Sequence, residues 1–220
     1  MMTALLLFSG ACSRQLAATR QRLGEAVVPT DVKMINHHME QHYQELEEFT
    51  RRLYAKNPKY EPDLVLREEK IKAIFHGGEP PERYFYGQPS HEILRAAFDP
   101  VTDYGDRVYL LSLGLVKSVR EAYGVEDGQL FSSLQLPLEK LETLYHNISQ
   151  VNWRLKVYRD DLGELLFLTN EAAADGYLNM GYEVIMTRVL TRIADDIFLR
   201  GGSPPKFFFN MSTMFLAILF

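Results

Sequence analysis

The stretch from Val32 to Leu53 constrains this chain more than any other. Val32, Ile35, Met39, His42, Leu46, Phe49 and Leu53 recur at alternating steps of three and four residues. Steps of that size return side chains to one side of an α-helix. The pattern therefore predicts a continuous helix of about six turns with a heptad-type seam. Pro29-Thr30-Asp31 supplies a helix start, and Asn57-Pro58 supplies a stop. Glu47 with Arg51 and Glu48 with Arg52 stand four residues apart and can pair on the outer faces. Three heptads are too short for a free-standing coiled coil, so the seam calls for a partner helix.

The remaining segments supply partners. Leu64 to Phe75 reads as a second helix, stopped by Gly77-Gly78. Glu79 to Pro89, with Tyr84-Phe85-Tyr86, reads as an ordered loop. Ser90 is placed to cap a short helix ending at Phe98. Asp103 opens an apolar helix to Tyr123, closed by Gly124 and expected at the centre of the core. Pro137 fits the first turn of a helix whose inward stripe is Leu138, Leu141, Tyr145 and Ile148. Trp153, Leu155 and Val157 then alternate with Arg154 and Lys156, a period of two. With the turn Asp160-Asp161-Leu162-Gly163 this predicts a β-hairpin near 153–170; a single helix running to Tyr158 is the alternative. Gly181 to Leu199 is a final long helix, with Val184 or Ile185, Val189, Ile193 and Ile197 inward. The expected fold is mainly α: one helical domain over 31–220, with long antiparallel-packed helices and one small hairpin.

The 220 residues are enough for a proper core, and 46% hydrophobic with 24% charged content is ordinary for a globular protein. The formal charge is -5, with Lys and Arg scattered among Asp and Glu. No basic stripe is present, which argues against nucleic acid as a partner.

The chain has a single cysteine, Cys12, so no disulfide can close within it. Leu5-Leu6-Leu7-Phe8 is followed by Ser9-Gly10-Ala11, then Cys12 and Ser13. An apolar run and small residues directly before a cysteine resemble the bacterial lipoprotein signal, the lipobox. Ser9 stands where that signal usually has Leu, and no charged residue precedes Arg14. The resemblance covers residues 1–13 only. It implies a signal peptide over 1–11, acylation of Cys12, and an anchor and tether over 12–30. Several acyl chains at ~0.8 kcal/mol per buried CH2 hold a protein to a bilayer, whereas one chain is marginal. Ser13 after the cysteine implies delivery to an outer membrane, facing the periplasm.

Chemistry is sparse. His38 and His42 have the i,i+4 spacing that can share a metal, and Glu45 follows one turn on. The plainer reading of His42 is a hydrogen-bonded interior histidine. No Glu-x-x-His pair, phosphate-binding glycine loop or nucleophile elbow occurs. No catalytic residue is assigned, and no cofactor is implied. Asp195-Asp196 reads as a solvated face, with Asp196 paired to Arg200. The apolar tail from Phe207 to Phe220 is too short to span ~30 Å of hydrocarbon as a helix. It packs on its own domain or docks on another protein. The function expected is that of a non-enzymatic envelope lipoprotein, an accessory or assembly factor with other envelope proteins as partners. The alternative is a helical ligand- or metal-binding protein, or an enzyme, with its site near His38 and His42 and the aromatic segment at Tyr84–Tyr86.

Overall fold

The computed structural model describes residues 29–78, 83–101, 104–124, 136–169, 181–204 and 206. Cys12, the tether and the apolar tail lie outside them. Among the described residues the fold is seven helices: α1 (Thr30–Lys56), α2 (Leu64–Phe75), α3 (Arg83–Tyr86), α4 (Ser90–Phe98), α5 (Arg107–Tyr123), α6 (Leu138–Val157) and α7 (Gly181–Leu199). None is long and apolar enough to cross a membrane.

Helix α1 is the continuous helix that the seam predicts. Val32, Ile35, His42, Leu46, Phe49 and Leu53 are buried, and Met39 packs half-buried against the same core. His38, Glu45, Thr50 and Tyr54 widen the inward face beyond the seam. The outer pairs form as well, Arg51 to Glu47 at 2.9 Å and Arg52 to Glu48.

Helix α5 is the central element. It packs against α1, α2, α4 and α6 and is buried almost all round. Its start is Arg107, capped by the Asp106 carboxylate, which accepts from the Tyr109 amide at 2.9 Å. Asp103, the expected opener, lies outside the described residues. Gly124 ends the helix in the left-handed conformation, with φ of 66°. A side chain at Gly114 would meet Leu94 at 2.8 Å, so this glycine sets how closely α4 approaches α5.

Cross-helix pairs fix the directions. His42–Tyr123, Thr50–Ser112 and Tyr54–Asp106 ascend α1 while descending α5, so these helices are antiparallel. His38–Asp196, Glu45–Arg192 and the Tyr182 hydroxyl on the Arg52 carbonyl make α1 and α7 antiparallel too.

Backbone ends are tied down by distant side chains. Ser90 does not cap α4 as a flanking residue; it is the first helical residue, and its amide and hydroxyl are held by Glu121 of α5. Arg107 reaches the carbonyls of Ala97, Asp99 and Pro100 at the other end of α4. Lys117 donates to the carbonyls of Tyr86 and Gln88, both at 2.7 Å. The aromatic segment is thus the short helix α3 and the turn after it, rather than a loop throughout.

The expected hairpin is not formed. Residues 153–157 continue α6, and only an isolated bridge between Arg159 and Leu165 follows. Gly163 does take the left-handed turn position, with φ of 80°. The alternation misled because Arg154 is buried and Val157 is not. Arg154 lies over the rings of Tyr158 and Phe98, at 4.8 and 5.9 Å from their centres. Val151, Arg154 and Leu155 form the helical inward stripe. The segment after the turn folds back under Asn57. The Asn57 amide donates to the Leu168 carbonyl at 2.9 Å and accepts from the Leu168 amide at 2.8 Å.

Candidate functional site

The described interior holds two clusters of ionisable side chains, at opposite ends of the α1–α5 pair. The first joins α1, α5 and α7. His38 Nδ1 lies 2.8 Å from Asp196 Oδ1. The Tyr123 hydroxyl donates to Asp196 Oδ2 at 2.6 Å. His42 Nε2 lies 3.2 Å from the Tyr123 hydroxyl oxygen, while His42 Nδ1 has no partner. His42 and Asp196 are fully buried. Beside them Arg192 makes a two-pronged pair with Glu45, at 2.5 and 3.1 Å.

Burial controls the electrostatics of this cluster. Desolvation, aided by Arg192 and His38, lowers the His42 imidazole to about 3. Desolvation also raises the Asp196 carboxyl, although Tyr123 and His38 pull the other way. The Tyr123 phenol is pushed well up by burial and by the Asp196 carboxylate. His42 is therefore the hydrogen-bonded interior histidine of the plainer sequence reading.

Asp196 is the principal residue that sequence reasoning misplaced. It belongs to the core, not to a solvated face, and its partners are His38 and Tyr123 rather than Arg200. Its spacing from Ile193 and Ile197 was the available signal, since all three share one helix face.

The second cluster joins α2, the start of α5 and the end of α1. Lys70 Nζ donates to Glu61 Oε2 at 2.7 Å and to Asp106 Oδ2 at 2.8 Å. The Tyr54 hydroxyl donates to the same Asp106 oxygen at 2.9 Å. Burial alone would lower the Lys70 ammonium, but the two carboxylates outweigh it and raise it. The Glu61 carboxyl is likewise lowered: its hydrogen bond from Lys70 overcomes the cost of burial. Burial and the Asp106 charge raise the Tyr54 phenol.

The two histidines of the expected metal pair do sit on one face of α1, yet each ring turns to its own partner. Among the described residues no group of three or more His, Cys, Asp or Glu side chains is arranged to hold a metal ion. The aromatic segment is also elsewhere. Phe85 packs edge-on to Tyr104 at 4.7 Å, and the Tyr86 hydroxyl donates to the Ala73 carbonyl of α2 at 2.8 Å. The partners of His38 and His42 are on α5 and α7 instead. A surface recess of about 400 Å³ opens between α1 and α2, lined by Arg51, Val65, Glu68, Glu69, Lys72 and His76.

No known protein family, curated protein or solved structure matches this chain.

Proposed function

We propose that this chain is a non-enzymatic lipoprotein of the cell envelope, held to the outer membrane through Cys12, facing the periplasm and serving as an accessory or assembly factor in a membrane-associated complex. The observation that carries it is the placement of the sole cysteine directly after Ser9-Gly10-Ala11 and an apolar run. The use of interior polar groups supports a scaffold. Lys70, Arg107, Lys117, Glu121 and Asp196 are all spent on joining helices or helix ends. Outward, Leu64 and Val65 are about two-thirds exposed, and Val65 lines the charged recess between α1 and α2. Apolar side chains rimmed by charge are a common composition for protein contacts.

The test begins with the anchor. The wild-type chain should take up a labelled fatty acid and fractionate with outer membranes, and Cys12→Ser should lose both properties. Label retained by the variant overturns the lipid anchor. Native extraction of the anchored protein, with Val65→Glu as the contrast, then addresses the accessory role. A stable envelope partner lost in the variant supports it, and a wild-type protein extracted alone overturns it.

A further inference from the structure

The directions of the hydrogen bonds in the His42–Tyr123–Asp196–His38 chain are forced by the chemistry of its members. The Tyr123 hydroxyl has one hydrogen, and Asp196 Oδ2 takes it at 2.6 Å. The phenol oxygen must then accept from His42 Nε2. That places a hydrogen on His42 Nε2, and because the buried Nδ1 has no hydrogen-bond partner, the ring is neutral with a bare lone pair there. A proton added there in the closed structure would create a donor with nothing to receive it.

The surroundings offer no rescue. On α1 the nearby charged or titratable groups are His38 and Glu45, and Glu45 is already gripped by Arg192. From α5 comes Tyr123, committed to Asp196. From α7 come Arg192, Asp195 and Asp196, and Asp196 accepts from both Tyr123 and His38. From α2, which also packs on α1, His76 turns to Glu47 on another face, 3.1 Å away. Among the described residues, the polar ties from α1 to α7 in this region are His38 with Asp196 and Glu45 with Arg192 and, at 3.8 Å, with Arg188; another lies at the opposite end, through Tyr182.

We propose that this chain of side chains is an acid-sensitive latch: uptake of a proton by His42 releases the C-terminal half of α7 from α1 and α5 while α4 and α5 stay packed. Released, His42 regains the ordinary imidazole pKa of about 6.5, whereas the closed form holds out to about 3. Below pH 6.5 the open form alone gains the proton, and the opening constant rises by up to about tenfold per pH unit. Asp196 acts in the opposite sense at lower pH, because its raised carboxyl takes a proton first in the closed form. The response therefore sets in near pH 6.5, steepens as pH falls further, and is opposed again where Asp196 takes up its proton.

Amide hydrogen exchange of the full chain, corrected for intrinsic rates, tests the latch. From pH 7 to pH 5 the opening of 189–199 should increase by roughly 25-fold, with 110–120 of α5 unchanged. His42→Gln keeps a donor toward Tyr123 and cannot titrate, so it should abolish the response. Parallel loss of protection in α5 and α7, or a full response in His42→Gln, overturns the latch. Long-range proton–nitrogen NMR of the wild-type ring is a check that needs no variant. At pH 5 the closed form should show the neutral Nε2–H tautomer, and a doubly protonated His42 beside a protected α7 overturns the proposal.

Discussion

The two interior clusters share α1 and α5 and use opposite physics. At the Asp106 end, one ammonium sits between two carboxylates and every charge has a counter-charge in contact. At the Tyr123 end, one carboxylate is shared by a phenol and an imidazole, and a second imidazole is left neutral with a bare nitrogen. The first arrangement resists a change in protonation, because Lys70 is raised and Glu61 lowered. The second invites one, because burial lowers His42 and raises Asp196. Burial alone therefore does not decide whether a polar cluster is a fixed joint or a sensitive one. The count of opposite charges in contact does.

Substitutions that break each cluster should separate these roles. Lys70→Met leaves two buried carboxylates without their cation and should destabilise the fold by about 3–5 kcal/mol in denaturant melts. A loss under about 1 kcal/mol would mean that water reaches the Asp106 end. Tyr123→Phe strands the His42 donor and one Asp196 oxygen, at a cost of about 1–3 kcal/mol. Stability unchanged in that variant would remove Tyr123 as the link between the histidine and the carboxylate.

Acid provides the sharper contrast. His42 has a folded value of about 3, below its unfolded value of about 6.5, so in that interval the unfolded chain binds the extra proton. Stability therefore rises with pH across that window and falls as pH drops. The His42 contribution should lower unfolding free energy by about 2 kcal/mol from pH 7 to pH 5. It is read as the difference between wild type and His42→Gln at each pH. Two parallel stability curves would place the acid response outside His42. The smallest effect is expected on the surface: Arg51→Ala removes pairs with Glu47 and Glu68 and should cost only ~0.2–1 kcal/mol. A cost above 2 kcal/mol would show that exposed charge on the α1–α2 face rivals the buried clusters.

Much of the helical layout is legible from spacing and punctuation. Helix α2 runs from Leu64 to Phe75 and α7 from Gly181 to Leu199, as their patterns and glycine stops predict. These features act within one turn of helix, which is the range that local sequence reports. The pairing of Asp196 with His38 spans 158 residues and leaves no local trace. Residue type misled at α6 for a related reason. A period of two puts Arg154 on a wet face and Val157 on a dry one, but aromatic rings cover Arg154 and Val157 lies outward. The same bias put Asp196 on the surface. Of the candidate site, the helix and face of His38 and His42 were readable, and their partners were not.

Asn57 reproduces in one side chain what a neighbouring strand would offer Leu168. Its carboxamide presents an acceptor and a donor side by side, matching the amide and carbonyl of a single peptide residue. A second amide hydrogen bond goes back to the Leu53 carbonyl, so the end of α1 and the returning segment share one anchor. Aspartate has the same shape but no donor, and it would set a carboxylate against the Leu168 carbonyl. Leucine fills the space and leaves both backbone groups facing an apolar surface. Position 57 is therefore a grammatical constraint on the chain more than a packing one. Its amide acts as a one-residue template strand, and the polarity of its two ends determines which peptide group can be read there.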